Sequence, residues 1–265
     1  VYPDRLYDVL LGRGDYTFFD NPDVVCPRRE KTVLRDDGTV RRYGAVRRDP
    51  EKERLIDSRR VAPNTARISK GKGKGRPYAT NLLVKLLVVV VNRMATLDPF
   101  GRGVEMEADK PGWNDSLNGL PGLFGSSSNE CLELLRAVRL LRDYIDCLSR
   151  TPQESARPHG RRANHEQLSV KVFAELHEFM EGLEPLLQKR LKGRTSKSAL
   201  NYWEASNTLK EEYRDKTRLG VRGREVDLDS EALSRFLELC QRNLERIFSL
   251  RDSGGPGGML SPEGV

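Results

Sequence analysis

Between Tyr78 and Leu97 the chain reads YATNLLVKLLVVVVNRMATL, an apolar run interrupted chiefly by Lys85 and Arg93. A helix that is apolar on nearly every side persists in water only when other elements cover it. The run exceeds the length of a usual buried strand, although Val88 to Val91 is locally strand-prone. It therefore predicts a mostly buried helix, capped by Asn81 or Thr80, ending before Asp98 and Pro99 and covered on more than one side. The run is also too short to cross a bilayer, and Lys85 lies inside it, so no membrane partner is expected. Lys85 either reaches a carboxylate or lets its ammonium snorkel to solvent.

Four further segments carry helical periodicity. Asn129 to Leu148 repeats Leu132, Leu135, Val138, Leu141 and Ile145 on one face, with Pro152 beyond its end. A second begins at Asn164 and reaches about Leu191, using Leu168, Val172, Leu176 and Phe179, with Pro185 placed to bend or split it. A third covers Ser198 to about Leu219 and stops at Gly220. The fourth runs from Asp229 to Leu250 through Leu233, Phe236, Leu237, Cys240, Leu244 and Phe248. Long amphipathic helices on moderate connections bury their apolar stripes against one another as helical hairpins. Seven-residue spacing is not sustained, so a coiled coil is not expected.

Residues 1–77 read differently, as an irregular, partly β, basic segment. DDGTVRRYGAV predicts a turn at Asp37 and Gly38 within a hairpin. RDPEKERLIDSRRV predicts a short helix with Pro50 in its first turn. SKGKGKGRP predicts an exposed, flexible loop, and repeated glycine alone does not make a phosphate loop of it. Residues 78–250 form the helical part, and residues 251–265 read as a flexible linker. The chain starts without methionine and stops in SGGPGGMLSPEGV. Both ends are accordingly expected to be cuts in a longer, cytoplasmic protein, whose remaining parts would be partners of this one.

The formal net charge of +7 is local in origin. Residues 1–76 hold 19 Lys and Arg against 12 Asp and Glu, which leaves 27 of each sign among the other residues of the totals 46 and 39. Arg41 and Arg42, Arg47 and Arg48, Arg59 and Arg60, and Lys70, Lys72, Lys74 and Arg76 are able to meet phosphates. Regular aromatic interleaving is absent, so a nucleic-acid partner is the weaker reading beside a solvated surface. Cys26, Cys131, Cys147 and Cys240 lack paired ligand spacing and read as free thiols, and neither a metal site nor a cofactor is expected.

The segment GRGVEMEADKPGWNDSLNGLPGLFGSSSNE, from Gly101 to Glu130, carries the most chemistry. In an extended chain Glu105, Glu107 and Asp109 share one side. Pro111 and Gly112 turn the chain, and Trp113, Asn114 and Asp115 then offer an aromatic plane, an amide and a carboxyl group in succession. Ser126 to Ser128 with Glu130 are placed to cap the next helix. A tryptophan covers the apolar face of a sugar ring while amides such as Asn114 and Asn118 and carboxylates bind its hydroxyls. Asp115, if burial and its acidic neighbours raise its pKa, is able to protonate a glycosidic oxygen. An inverting hydrolase needs a second carboxylate to activate water, and Glu105, Glu107 and Asp109 are the candidates. The competing reading has Asp115 pinning a tight loop and Trp113 filling the core, and the residues alone divide the two evenly.

PGWNDSLNGL, from Pro111 to Leu120, resembles the catalytic loop of the cellobiose phosphorylase family, inverting disaccharide phosphorylases built on an α/α six-hairpin barrel. YATNLLVKLL, DPFGRGVEMEADKPGWNDSLNGLPGLFGSS and YWEASNTLKEEYR resemble the barrel region of its large bacterial members, so that the likeness extends over about Tyr43 to Leu250. The resemblance implies an all-α fold containing part of an α/α toroid. It also implies Asp115 as general acid, Trp113 and Asn114 as walls of the sugar site, a β-glucoside or oligosaccharide substrate, and inorganic phosphate as the attacking co-substrate. Gly112 departs from the family, which commonly has an acidic residue before the tryptophan. His159, His165 and His177 match no phosphate-binding context of that family. Trp203 and Glu204, with Tyr202 beside them, rank second as a sugar-lining cluster or as a buried aromatic pair with a capping acid. Phosphorolysis, hydrolysis and a noncatalytic glycan-binding helical domain are the function classes that this leaves.

Overall fold

The computed structural model describes residues 3–27, 30, 32–34, 36–38, 40–42, 46–62, 65–99, 103–105, 126–150, 169–193 and 195–252. About 60% of the described residues are helical, with small two-stranded sheets. The order is α1 (Pro3–Leu10), β1 (Tyr16–Thr17), β2 (Asp23–Val25), β3 (Thr32–Leu34), β4 (Val40–Arg42), β5 (Val46–Arg48), α2 (Pro50–Ser58), β6 (Ala79–Thr80) and α3 (Leu82–Met94). There follow β7 (Val104–Glu105), β8 (Ser126–Ser127), α4 (Ser128–Arg150), β9 (Ser169–Phe173), α5 (Ala174–Lys192), α6 (Ser196–Thr217), β10 (Glu225–Asp229) and α7 (Ser230–Asp252). No helix among the described residues is long and apolar enough to cross a membrane.

The apolar run builds the buried centre. The Asn81 side chain accepts the Val84 amide at 2.9 Å, and Thr80 pairs with Tyr16 instead of capping. Leu83, Val84, Leu87, Val91 and Met94 of α3 are fully buried, covered by α1, α4, α5 and β9. Each such side chain contributes about 1.5–3 kcal/mol relative to exposure. Val89, 54% exposed, is the exception on this helix. Among the described residues Lys85 meets no carboxylate: its ammonium donates to the Thr17 carbonyl at 2.7 Å and lies 5.3 Å from the Phe18 ring centroid.

Helices α4 and α7 run antiparallel, since Arg139 meets Glu245 and Asp146 meets Ser234. Leu135, Val138, Leu141 and Ile145 are buried as expected, but Leu132 is 45% exposed. The stripe begins one residue earlier, at Cys131 and Leu134, which leaves Leu132 about 100° around the helix. Helices α5 and α6 form the anticipated hairpin, with Thr195 capping α6 through the Ser198 amide and Lys216 reaching Glu178 at 3.1 Å. Pro185 lies inside α5 without ending it.

The second predicted helix needs a correction at its start. Ser169–Phe173 is strand β9, paired antiparallel with β10 from Ser169 opposite Asp229 to Phe173 opposite Glu225, and α5 begins only at Ala174. Val170 and Val172 point to the core while Ser169 and Lys171 face solvent, the alternation of a half-buried strand. Asn164 and Leu168, assigned to the same helix, lie outside the described residues, as does Pro152.

In the N-terminal segment β3 and β4 pair around Gly38, whose φ of 78° suits the expected turn. Helix α2 starts with Pro50 behind Asp49, whose carboxylate accepts the amides of Glu51 and Lys52. Asp20, 3% exposed, accepts Lys52 and Arg59, each at 2.9 Å. Cys26, Cys131 and Cys240 are buried free thiols and Cys147 is half-buried. An aromatic chain of Phe18, Tyr78, Phe173, Tyr213 and Phe179 joins this segment to α5 and α6, with neighbouring centroids 4.8–6.4 Å apart.

The stretch Ser69–Pro77 is not the free loop expected of SKGKGKGRP. Ser69 and Pro77 form a β-bridge, the Lys70 amide donates to the Arg76 carbonyl at 2.9 Å, and Gly75 donates to Lys70 at 2.8 Å. The resulting turn is sewn to the chain following α6 by amide bonds from Gly71 to Arg222 and from Lys72 to Val221. Gly73 is buried at φ 84°, and a Cβ there would fall 2.1 Å from the Leu219 carbonyl oxygen, which only glycine avoids.

Arg218 binds Asp49 and, at 2.6 Å, Glu51, so α2 is tied to the end of α6. Burial alone would raise the Asp49 carboxyl, but the Lys52 amide and the Arg218 guanidinium hold it below its ordinary range. The bond to Arg222 lowers Glu178 in the same sense. A carboxyl with a lowered folded pKa adds stability that is complete above its unfolded pKa and is lost as pH falls through the folded one. Denaturation midpoints are thus expected to be level above about pH 5 and to drop below about pH 4. Arg218→Gln should make that drop shallower, and identical acid limbs for both proteins would refute the assignment.

Candidate functional site

The chain leaving α3 folds back on itself at once. Thr96 to Asp98 lies against Gly103 to Glu105, with Leu97 bridged to Val104, the Asp98 amide donating to Gly103 at 3.0 Å, and the Glu105 amide donating to Thr96 at 2.8 Å. On its other side the same short strand pairs with β8, Val104 opposite Ser127 and Glu105 opposite Ser126. Glu105 and Ser126 are therefore neighbours across this ladder. The approach there is close: a Cβ on Gly103 would lie 2.8 Å from the carbonyl carbon and oxygen of Ser127. As expected for a cap, the Ser127 hydroxyl accepts the Glu130 amide at 3.1 Å, and Glu130 meets Arg93 at 2.9 Å, which joins the first turn of α4 to the last of α3.

Helix α6 closes over this root. The Tyr202 hydroxyl donates to the Met94 carbonyl at 2.7 Å, the Trp203 indole donates to Glu105 Oε2 at 2.8 Å, and the Lys210 ammonium lies 3.3 Å from Thr96 Oγ1. Trp203 and Lys210 are seven residues apart and so share one side of the helix. Thr96, Asp98, Asn207 and Lys210 are all 5% exposed or less, which makes the floor beneath the root both polar and dry. Burial pushes the Tyr202 phenol up, so it remains a donor at neutral pH. The Arg190 guanidinium lies 5.3 Å from the Tyr202 ring centroid, and burial pulls its pKa down against the opposing fields of Tyr202 and Asp98.

Two residues named separately from the sequence, Glu105 and Trp203, are thereby brought into contact. Glu204 is exposed on the neighbouring side of α6. Glu107, Asp109, Trp113, Asn114, Asp115 and Asn118 lie outside the described residues, as do His159 and His165. His177 sits on α5 with Nδ1 3.1 Å from Glu181. Thr96, Asp98, Arg190 and Lys210 escaped the sequence reading. The one available signal was Lys210, a cation on the helix side already marked by Trp203. Among the described residues no group of three or more His, Cys, Asp or Glu is arranged to hold a metal.

A half-buried indole anchored through its N–H presents its ring at a fixed angle. Trp203→Phe removes the indole donor while keeping a six-membered aromatic ring at the position. It is expected to cost about 1–2 kcal/mol in chemical denaturation, the range of a partly exposed hydrogen bond to a charged group. A loss under about 0.3 kcal/mol would mean that the bond contributes nothing in solution. In comparisons with known proteins, no family model matches the chain and no curated protein matches it.

Proposed function

We propose that this chain is part of an α/α toroid of the six-hairpin kind and belongs to a carbohydrate-active enzyme, an inverting phosphorylase-like glycosyltransferase acting on β-glucosides. The observation that carries the reading is the pinned root. The ladder of Glu105 with Ser126 and the Trp203 indole on Glu105 fix the two residues that flank the segment bearing Trp113, Asn114 and Asp115, beside the buried polar side chains of Thr96, Asp98 and Lys210. A toroid of this kind needs more helices than the five long ones described, and the reading assigns the others to the rest of a longer polypeptide.

In the proposed reaction a phosphate oxygen attacks the anomeric carbon from the face opposite the glycosidic oxygen. That C–O bond breaks, and Asp115 gives its proton to the departing sugar. The β-linkage thereby becomes an α-sugar 1-phosphate, and the Asp115 carboxylate is reprotonated from solvent. No protein carboxylate serves as nucleophile or base. The engagement of Glu105 with Trp203 supports phosphorolysis over hydrolysis, since one candidate for the hydrolytic base already accepts the indole. No cofactor is required. The test is to incubate the intact parent with β-linked glucosides, with and without inorganic phosphate, and to assay sugar 1-phosphate. Sugar release that ignores phosphate would replace the phosphorylase by a hydrolase, and no release at all would leave a glycan-binding domain.

A further inference from the structure

We propose that the turn over residues 70–76, together with Arg224, is a binding site for an oligophosphate, the linear di- or triphosphate group, whether free or carried by a nucleoside. The sequence places two basic stretches, KGKGKGR from Lys70 and RLGVRGR from Arg218, far apart in the chain, and the fold sews them together through Gly71, Lys72, Val221 and Arg222.

One glycine of each stretch is buried between them. Gly73 at φ 84° and Gly220 at φ 129° pack so tightly that a Cβ on Gly220 would fall 2.5 Å from the Gly73 amide nitrogen. Basic side chains are left outward: Lys72, Lys74, Arg76 and Arg224 are exposed, and none forms an ion pair with an acid among the described residues. Arg222 is different, for Glu175 and Glu178 hold it, so it anchors the turn. A rigid backbone thus crowds like charges that repel one another, and a multivalent anion relieves that repulsion without any further ordering cost.

The chemistry of the site is that of ammonium and guanidinium groups, not of a backbone cradle. The amides of Gly71, Lys72, Lys74 and Gly75 all donate to carbonyls of the protein, so they are spent before a phosphate arrives. Tyr78, whose ring centroid lies 5.5 Å from the Lys70 ammonium, is fully buried and offers no face on which a base could stack. Phosphates are therefore recognised and bases are not. Lys72, Lys74 and Arg76 belong to one short turn, and Arg224 follows Gly223, where a Cβ would fall 3.1 Å from the Lys70 Cβ, a compact grouping that suits a small anion better than a nucleic-acid strand. Thr217, at the end of α6 nearest this turn, lies about 21 Å along the helix from Trp203, so this site is independent of the glycosyl reading.

The experiment is calorimetric titration of the 265-residue chain with sodium tripolyphosphate, with ATP and with a single-stranded oligonucleotide, at about 0.05 and 0.2 M salt. Tripolyphosphate and ATP are expected to bind comparably, with affinity falling as salt rises. Lys72→Gln with Lys74→Gln should weaken both by about tenfold or more. Arg224→Gln, on the second segment, should weaken them also without touching the turn. Lys192→Gln with Lys197→Gln, an equal loss of charge elsewhere, should leave binding unchanged. A lack of tripolyphosphate binding, an equal loss in the control pair, or binding of the oligonucleotide alone would each overturn the proposal. ATP binding without tripolyphosphate binding would overturn it as well, because the base and not the phosphates would then be the determinant.

Discussion

Asp20→Ala is expected to lower stability by about 3–5 kcal/mol, the cost of deleting one partner from a buried ion cluster. Lys52 and Arg59 both end on this carboxylate, with side chains 11% and 14% exposed, so water does not replace it. Arg59 also donates to the carbonyls of Gly73 and Arg67, and the Asp20 amide donates to Ala66. The substitution leaves two cations facing each other at the junction of α2, the glycine turn and the N-terminal segment. Urea denaturation at neutral pH measures it, and a loss below about 1 kcal/mol would show that the pair repacks or is hydrated. Replacing all three residues together with Leu, Met and Leu should recover much of the loss. The penalty belongs to the orphaned charges, not to the absence of an ion pair.

Asp115→Asn in the intact parent is expected to reduce turnover of sugar-leaving substrates by about 10²–10⁴-fold, the usual contribution of a positioned general acid. An amide keeps the shape and can still donate a hydrogen bond, but it does not transfer a proton. The same variant should retain most of its rate on a glucoside whose leaving group is a dinitrophenolate, which departs without protonation. Equal losses on both substrates would mark Asp115 as a loop brace. Unchanged rates on both would remove it from the site altogether. A loss confined to the sugar leaving group separates proton donation from damage to the loop.

The largely helical character of the chain was legible because α3 is apolar for longer than a usual strand and α4 and α7 carry apolar stripes long enough to exclude other periods. The capping chemistry of Asn81 and Ser127 was similarly local. Strand β9 was hidden by a coincidence of periods. Val172 lies four residues before Leu176, as a helix requires, and two after Val170, as a strand requires. Only pairing with β10, more than fifty residues away, decides between them. The glycine turn misled for a related reason. Its composition is that of a free loop, and its order comes from carbonyls of Val221 and Arg222 that no local pattern announces. At the candidate site the chemically distinctive residues were visible one by one, whereas the meeting of Glu105 with Trp203 and of Thr96 with Lys210 depends on how α6 lies across the end of α3.

The two-residue ladder of Glu105 and Val104 with Ser126 and Ser127 has an engineering corollary. It holds the two stems at a fixed spacing, so the closure entropy of any chain grafted across them would grow slowly with its length, by about 0.6 kcal/mol on doubling. A redesign of these stems has to keep Gly103, where a side chain would collide with the Ser127 carbonyl.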